Sequence, residues 1–178
     1  MMRQIVLLRG VNLGPRNRIP MAELRELLAG AGLEGVQTYV QSGNVVVSSD
    51  LSPERLARRC HGLVSERFGL DIDVVVRTRD ELAEVVRRNP LGRVAVEPKR
   101  HQVTFLASEP DPEAVRRIAG LAAGEERFLA RGRELYAWHP AGVGRSRLAA
   151  ALAGRGVGVP ATARNWTTVT KLLELADQ

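Results

Sequence analysis

Apolar and polar positions along residues 1–78 alternate between helical and extended spacing. The run Ile5–Gly10 is short, apolar and ended by glycine, which is typical of a buried strand. Leucines at helical spacing follow over residues 21–28, and residues 36–49 alternate around Gly43 as in a β-hairpin. Ser52 and Pro53 are good cap and first-turn residues for a second helix, and another buried strand follows at residues 72–78. The predicted order is β-α-β-β-α-β.

The second half repeats much of this pattern. A helix is predicted over residues 79–88, a strand over 101–108, a helix from Pro112, and a hairpin over 126–140 with Gly132 in its turn. A short helix at residues 145–153, a glycine-rich segment at 155–164 and a final helix complete the chain. Because β-α-β-β occurs twice, we predict an internal duplication. The predicted fold is α+β, with two similar βαββ (ferredoxin-like) halves, helices packed on one face of each sheet, and helices at the C-terminus.

Length and composition narrow the class of protein. The chain has 178 residues, which suits one compact domain or two small halves at residues 1–78 and 79–178. No apolar run approaches the ~20 residues that cross a bilayer, so we expect no membrane partner. The one cysteine, Cys60, excludes an internal disulfide and lies on the apolar stripe of its helix. We therefore expect a buried structural thiol in a cytoplasmic protein.

Positive charge is concentrated towards the two ends of the chain. The net charge is +6, and arginine supplies 24 of the 26 basic residues, which biased codon usage explains. Residues 1–22 contain four arginines and no acid, and residues 135–173 contain five basic residues and no acid. Residues 23–134 contain 17 basic and 18 acidic residues. This segregation favours an anionic partner for the two end segments.

Four segments resemble those of a known bacterial family. They are LLRGVNLG (Leu7–Gly14), IPMAELRELL (Ile19–Leu28), YVQSGNVVV (Tyr39–Val47) and TARNWTTVTKLLELA (Thr162–Ala176). In this order they resemble domain-of-unknown-function family number 1697. Gly14-Pro15-Arg16 departs from the glycine pair or basic residue typical there, which alters the flexibility of the loop. The resemblance implies an α+β fold with two similar halves and no established activity.

Common catalytic and cofactor motifs are absent. The three histidines have no metal-ligand spacing, and there is no phosphate loop, dinucleotide fingerprint or nucleophile elbow. We therefore predict no metal and no cofactor. The strand that would carry base-stacking aromatics in an RNA-recognition module reads GNVVVSS, which has none.

The segment before the final helix combines structural and candidate binding residues. Trp166 begins an apolar stripe, and Asn165 or Thr167 can cap the helix. Arg164, Thr168 and Lys171 are left unexplained by capping. Since a helix start attracts anions, Arg164, Asn165, Thr168 and Lys171 are candidate ligand contacts. The alternative is that Arg164 pairs with a carboxylate from the middle of the chain.

Two loops of the first half offer further candidates. Arg9 ends the first strand, and Asn12 follows in the loop between Gly10 and Gly14. Ser42 and Asn44 flank Gly43 in the hairpin. Loops at strand ends commonly hold ligand groups, but the same residues also make turns by bonding to their own backbone.

Three functions follow from these candidates. The first is a binding protein for a phosphate-bearing ligand, either a nucleotide or a nucleic-acid backbone, held at the basic surface. The second is a small cofactor-independent enzyme that uses Ser42, Asn44 and Arg9 on an anionic substrate, although no general base is evident. The third is a non-catalytic scaffold that assembles with an unidentified protein partner. The first two need the candidate residues to share a cleft.

Overall fold

The computed structural model describes all 178 residues, which form eight strands and six helices. The strands are β1 (Met2–Leu8), β2 (Glu34–Tyr39), β3 (Asn44–Ser49), β4 (Val74–Thr78), β5 (His101–Leu106), β6 (Arg127–Arg131), β7 (Glu134–Trp138) and β8 (Ala161–Asn165). The helices are α1 (Met21–Gly30), α2 (Pro53–Phe68), α3 (Arg79–Arg88), α4 (Pro112–Ala119), α5 (Arg147–Ala153) and α6 (Trp166–Ala176). A single 3-10 turn spans Pro98–Arg100.

Two four-stranded antiparallel sheets contain all of the strands. The first sheet has the order β2-β3-β1-β4, and the second has the order β6-β7-β5-β8. Each sheet is therefore built from a β-α-β-β-α-β run with the same strand order, which is the ferredoxin-like arrangement. The predicted α+β class with two similar halves is confirmed.

The second half contains one more strand than the sequence pattern predicts. Ala161–Asn165 pairs with β5, from Leu106↔Ala161 to Gln102↔Asn165. Its sequence, ATARN, has only alanine at its apolar positions, and it follows a glycine-rich segment, so it resembles a connection. Pairing with β5 makes it an edge strand, and Arg164 consequently belongs to a sheet and not to a loop.

The chain divides into two compact units. Unit 1 comprises Met1–Glu84 and Lys171–Gln178, and unit 2 comprises Val85–Thr170. In unit 1, Val6, Leu8, Val45 and Val47 pack with the buried leucines of α1 and α2. In unit 2, Leu106, Leu135 and Ala137 pack with Ile118 of α4 and Leu148 of α5. Each unit has its own apolar core between one face of its sheet and its helices.

Local signals fix several helix boundaries. The Ser52 hydroxyl accepts a hydrogen bond from Arg55 N, and Pro53 follows it, so α2 begins as predicted. Gly69 ends α2 in the left-handed conformation, with φ 68°. Asp111 and Pro112 begin α4 in the same way as Ser52 and Pro53 begin α2. None of the helices has the length and apolar character needed to cross a membrane.

Candidate functional site

Asn12 holds together the loop that follows β1. Its side-chain amide donates to Ile19 O at 2.8 Å and to Gln41 O at 2.7 Å, and its Oδ1 accepts from Ile19 N at 2.9 Å. Its φ of 58° is in the left-handed region, which asparagine tolerates better than most residues. Since these bonds occupy both N–H groups, Asn12 positions the loop against the β2–β3 turn.

The β2–β3 turn is held by Asn44 and Gly43. The Asn44 amide is fully buried and donates to Tyr39 O at 3.1 Å and to Ser42 Oγ at 2.9 Å. A Cβ on Gly43 would lie 2.8 Å from Leu8 Cβ, and its φ is 79°, so the position requires glycine. The loop after β1 and the β2–β3 turn therefore meet at one end of the first sheet.

The arginines of this end differ in their partners. Arg9 Nη1 lies 3.5 Å from Asp73 Oδ2, and both side chains are partly buried. Arg16 and Arg18 are exposed, with no hydrogen bond or ion pair. Arg16 and Arg18 are therefore the loop cations that remain available to an anion. The sequence analysis does not predict them as ligand contacts.

Arg164 lies on β8 and is buried. Its Nη1 donates to Thr162 Oγ1 at 2.6 Å and to Ala163 O at 2.9 Å. Burial lowers the pKa of the Arg164 guanidinium to about 10, which leaves it charged at neutral pH. Because the guanidinium is buried and hydrogen-bonded within the chain, it supports the end of the sheet and is poorly placed to contact a large ligand in solvent.

The start of α6 is capped as the sequence predicts. Asn165 Oδ1 accepts from Thr168 N at 2.9 Å, which satisfies one of the free N–H groups of the first turn. Lys171 lies one turn further and pairs with Glu174 at 3.0 Å on the surface. Such an exposed pair contributes little to stability, and Lys171 can exchange it for another anion.

Two basic residues flank the start of α6 from another part of unit 2. Lys99 and Arg100 are exposed on the 3-10 turn, which packs against β8. His101 follows directly and stacks on Trp166, with ring centroids 4.5 Å apart and planes 11° from parallel. Trp166 thus anchors α6 to β5 through an imidazole. The segment GRVAVEPKR has no periodic pattern, so nothing in it indicates that its cations lie near the end of β8.

Unit 2 also contains a buried polar cluster. His139 Nδ1 lies 2.6 Å from Glu126 Oε2, and the Ser146 hydroxyl donates to the same oxygen at 2.5 Å. Burial alone would raise the pKa of Glu126, but the bonds from His139, Ser146 and the Ala123 amide together hold it below its ordinary value. The cluster borders a surface depression of about 610 Å³ whose wall includes Glu125 and Arg145.

The cluster contains Ser, His and Glu but does not have the geometry of a catalytic triad. A triad base receives the nucleophile at one ring nitrogen and the acid at the other. Here Ser146 and Glu126 both lie at Nδ1 of His139, and Nε2 is buried without a partner. Ser146 Oγ also accepts from Ala149 N as the cap of α5. The cluster therefore joins α5 to the β6–β7 hairpin.

The eight predicted site residues fall into separate groups. Four lie at one end of the first sheet in unit 1: Arg9, Asn12, Ser42 and Asn44. Three lie at the end of β8 and the start of α6 in unit 2: Arg164, Asn165 and Thr168. Lys171 lies further along α6 and is assigned to unit 1. That these groups form one ligand site stays a prediction.

Comparisons with known proteins identify relatives of the same fold. The model of the family described as "Protein of unknown function (DUF1697)" matches residues 1–136. A solved structure, that of the conserved bacterial protein SP0830 from Streptococcus pneumoniae, matches with a TM-score of 0.79 and 20% identity. The match covers 98% of each chain. A comparison with curated proteins finds no match. At this identity the solved structure supports the fold alone.

Proposed function

The chain belongs to the DUF1697 family of proteins of unknown function, and we propose that it binds the phosphate backbone of a nucleic acid through the basic surface of unit 2. The binding depends on charge and not on base sequence. The free buried cysteine fits a reducing compartment, so we place this activity in the cytoplasm.

The observation that carries the proposal is the division of charge between the units. Unit 2 contains fourteen basic and seven acidic residues, a net charge of +7. Unit 1 contains twelve basic and thirteen acidic residues, a net charge of −1. Along the sequence the positive excess lies towards both ends of the chain, but folding places residues 1–22 in a unit whose acidic residues offset them. A charge of +7 on one small unit attracts polyanions.

Most of the charge of unit 2 faces solvent. Twelve of its fourteen basic side chains are exposed; Arg133 is partly buried and Arg164 is buried. Arg93 and Lys99 lie in the segment that leads into β5, and neither side chain has an internal hydrogen bond or ion pair. The Lys99 backbone N–H donates to Glu97 Oε1. The 3-10 turn that contains Lys99 packs against β8, just before the α6 start. These cations lie on an open surface, which suits an extended backbone better than an enclosed mononucleotide.

The residues predicted from the sequence take revised roles in this proposal. Arg164 and Asn165 support the end of β8 and the α6 start by the bonds described above. Thr168, on the first turn of α6 in unit 2, is available for contact with phosphate, whereas Lys171 belongs to unit 1 and pairs with Glu174. Arg9, Asn12, Ser42 and Asn44 shape the end of unit 1, where Arg16 and Arg18 are the cations without partners.

The test is the binding of a labelled 20-nucleotide single strand and its duplex between about 25 and 200 mM salt. We expect affinity to fall steeply with salt and to be insensitive to sequence. Arg93→Glu with Lys99→Glu should weaken binding by about 10-fold or more, since two phosphate contacts become repulsions. Arg55→Glu with Arg58→Glu on α2 makes the same change in net charge and should have a much smaller effect.

Other outcomes would decide against the proposal. Equal losses in the two double variants would mean that only the net charge matters, and no binding site on unit 2 would remain. Absence of binding at the lowest salt would exclude a nucleic acid. Thermal stabilisation by free ATP or ADP that saturates, without binding of the 20-nucleotide strand, would favour a nucleotide site instead.

A further inference from the structure

The depression on unit 2 is lined by two segments of the chain. Residues 123–126 lead into β6, and residues 140–146 connect β7 to α5. Ala123, Gly124 and Ala141 leave room between these segments, because their side chains are small or absent. The volume, about 610 Å³, lies within the range of small-molecule sites. The kind of molecule that fits is therefore decided by the charged side chains of the two segments.

One carboxylate holds the two segments together. Glu126 Oε1 accepts from Ala123 N at 3.1 Å, within its own segment. Its Oε2 accepts from the Ser146 hydroxyl at 2.5 Å and lies 2.6 Å from His139 Nδ1, so it reaches the other segment. That segment begins with a closed turn, in which Gly142 N donates to His139 O at 2.8 Å. The walls of the depression are thus preorganised, and a ligand does not have to order them.

Two opposite charges on these walls have no partner within the chain. Glu125 and Arg145 are both exposed, and neither side chain makes a hydrogen bond or an ion pair. They line the same depression from different segments, yet no ion pair joins them. On a convex surface, water would account for both groups, but here they border a concave site of fixed shape. Such a pair of charges suits a ligand that carries both signs.

The signs of the charges narrow the class of ligand. A simple anion would be repelled by Glu125 and by Glu126, whose pKa is held below its ordinary value so that it is ionised at neutral pH. A simple cation would be repelled by Arg145 and by the net charge of +7 on unit 2. A small zwitterion avoids both repulsions, since its ammonium can lie beside the carboxylates and its carboxylate beside the guanidinium.

We propose that the depression binds a small zwitterion of the amino-acid or dipeptide class. The ammonium of the ligand pairs with Glu125, its carboxylate pairs with Arg145, and its apolar centre contacts the alanines of the walls. Glu126 keeps its internal bonds and holds the walls in place. Arg93 and Lys99 do not line the depression, so this site is independent of the binding of nucleic acid proposed above.

Titration of the ¹⁵N-labelled full chain with alanine and with dialanine, followed by nuclear magnetic resonance, tests the proposal. We expect saturable shifts of the amides of the two wall segments, with a Kd of about 0.5–10 mM, and the tighter ligand gives the preferred length. Glu125→Gln and Arg145→Gln should each weaken binding by about 5-fold. Glu109→Gln and Arg155→Gln make the same changes at exposed residues of unit 2 outside the depression, and they should bind like the unaltered chain.

Blocked ligands separate the two contacts. N-Acetyl-dialanine lacks the ammonium and dialanine amide lacks the carboxylate, so each should bind about 5-fold more weakly than dialanine. Binding of the acetylated ligand should no longer weaken in Glu125→Gln but should still weaken in Arg145→Gln. No saturable shift at about 50 mM alanine or dialanine would overturn the proposal. Acetylated ligand that binds as well as dialanine would overturn it in favour of a simple anion, and dialanine amide that does so would overturn it in favour of a simple cation.

Discussion

The Asn12 amide donates to Gln41 O at 2.7 Å, a bond that joins the loop after β1 to the β2–β3 turn 29 positions further along the chain. Together with the two bonds to Ile19, it makes one side chain responsible for the shape of this end of unit 1. A polar loop residue is often read as a ligand contact, but here its bonding groups are already used within the protein.

Asn12→Ala should therefore lower the free energy of unfolding by roughly 2–3 kcal/mol, because it removes three hydrogen bonds, two of them around a buried residue, Ile19. Urea unfolding followed by circular dichroism measures the change. Asn17→Ala is the matched control, since Asn17 has nearly the same φ, 55°, but its side chain makes one long bond of 3.5 Å. It should cost under about 1 kcal/mol. If both variants lost the same free energy of unfolding, the loss would come from the strained backbone conformation that the two positions share and not from the hydrogen bonds of Asn12.

Glu126 should make the folded chain less stable at acidic pH. Its pKa is below the ordinary value in the folded chain, so its contribution is complete above the ordinary pKa and is lost as the pH falls through the folded pKa. Glu126→Gln should cost roughly 1–3 kcal/mol at pH 7, and the difference from the unaltered chain should shrink as the pH approaches 3. Denaturant unfolding at several pH values measures it.

The control for this prediction is Glu125→Gln. Glu125 is the exposed neighbour of Glu126 and has no internal hydrogen bond, so its loss should change stability by less than about 0.5 kcal/mol at any pH. A Glu126→Gln variant as stable as the unaltered chain at pH 7 would contradict the role of the cluster in joining α5 to the hairpin.

His101 should resist protonation in the folded chain. Burial lowers its pKa to about 4, and its ring stacks on Trp166 with no partner at Nε2. Since the unfolded chain takes up this proton near pH 6.5, stability should fall as the pH drops from about 6.5 to about 4, by on the order of 3 kcal/mol. His101→Gln should lack this dependence. A nuclear magnetic resonance titration of the His101 ring that gave a pKa near 6.5 would contradict the burial argument.

Cys60 should be unreactive in the folded chain. It is buried in α2, and burial raises the pKa of its thiol to about 12, so almost no thiolate exists at neutral pH. A thiol reagent such as dithionitrobenzoate should react slowly with the native chain and with one thiol per chain in denaturant. Rapid reaction at pH 7.5 without denaturant would show that α2 opens readily or that the thiol is accessible.

The sequence predicted the fold well because most elements carry local signals. Ser52 and Pro53 begin α2, glycines lie at the tips of both hairpins, and apolar spacing distinguishes helices from strands. Strand β8 is not predicted because alanine is the only apolar residue type in ATARN; its conformation comes from pairing with β5. Such pairing is a property of the fold and cannot be read from five residues.

The roles of the candidate site residues are harder to predict from sequence than the fold, for a related reason. Residue types show which groups could bind an anion, but not which of them are already bonded. Arg164 is buried among its own hydrogen bonds, and Asn12 is occupied by loop carbonyls. The sequence does not predict Lys99 as a contact because its segment has no pattern, although its turn packs against β8. The division of charge between the units also depends on which segments fold together, and their order along the chain does not show this.

The binding of unit 2 to phosphate backbones is tested most directly by the salt dependence of affinity for the 20-nucleotide single strand. We predict that log K falls with log salt for the unaltered chain, and that Arg93→Glu with Lys99→Glu makes the slope shallower by about 1.4, the share of two phosphate contacts. The same slope in both proteins, or no measurable binding at 25 mM salt, would contradict it.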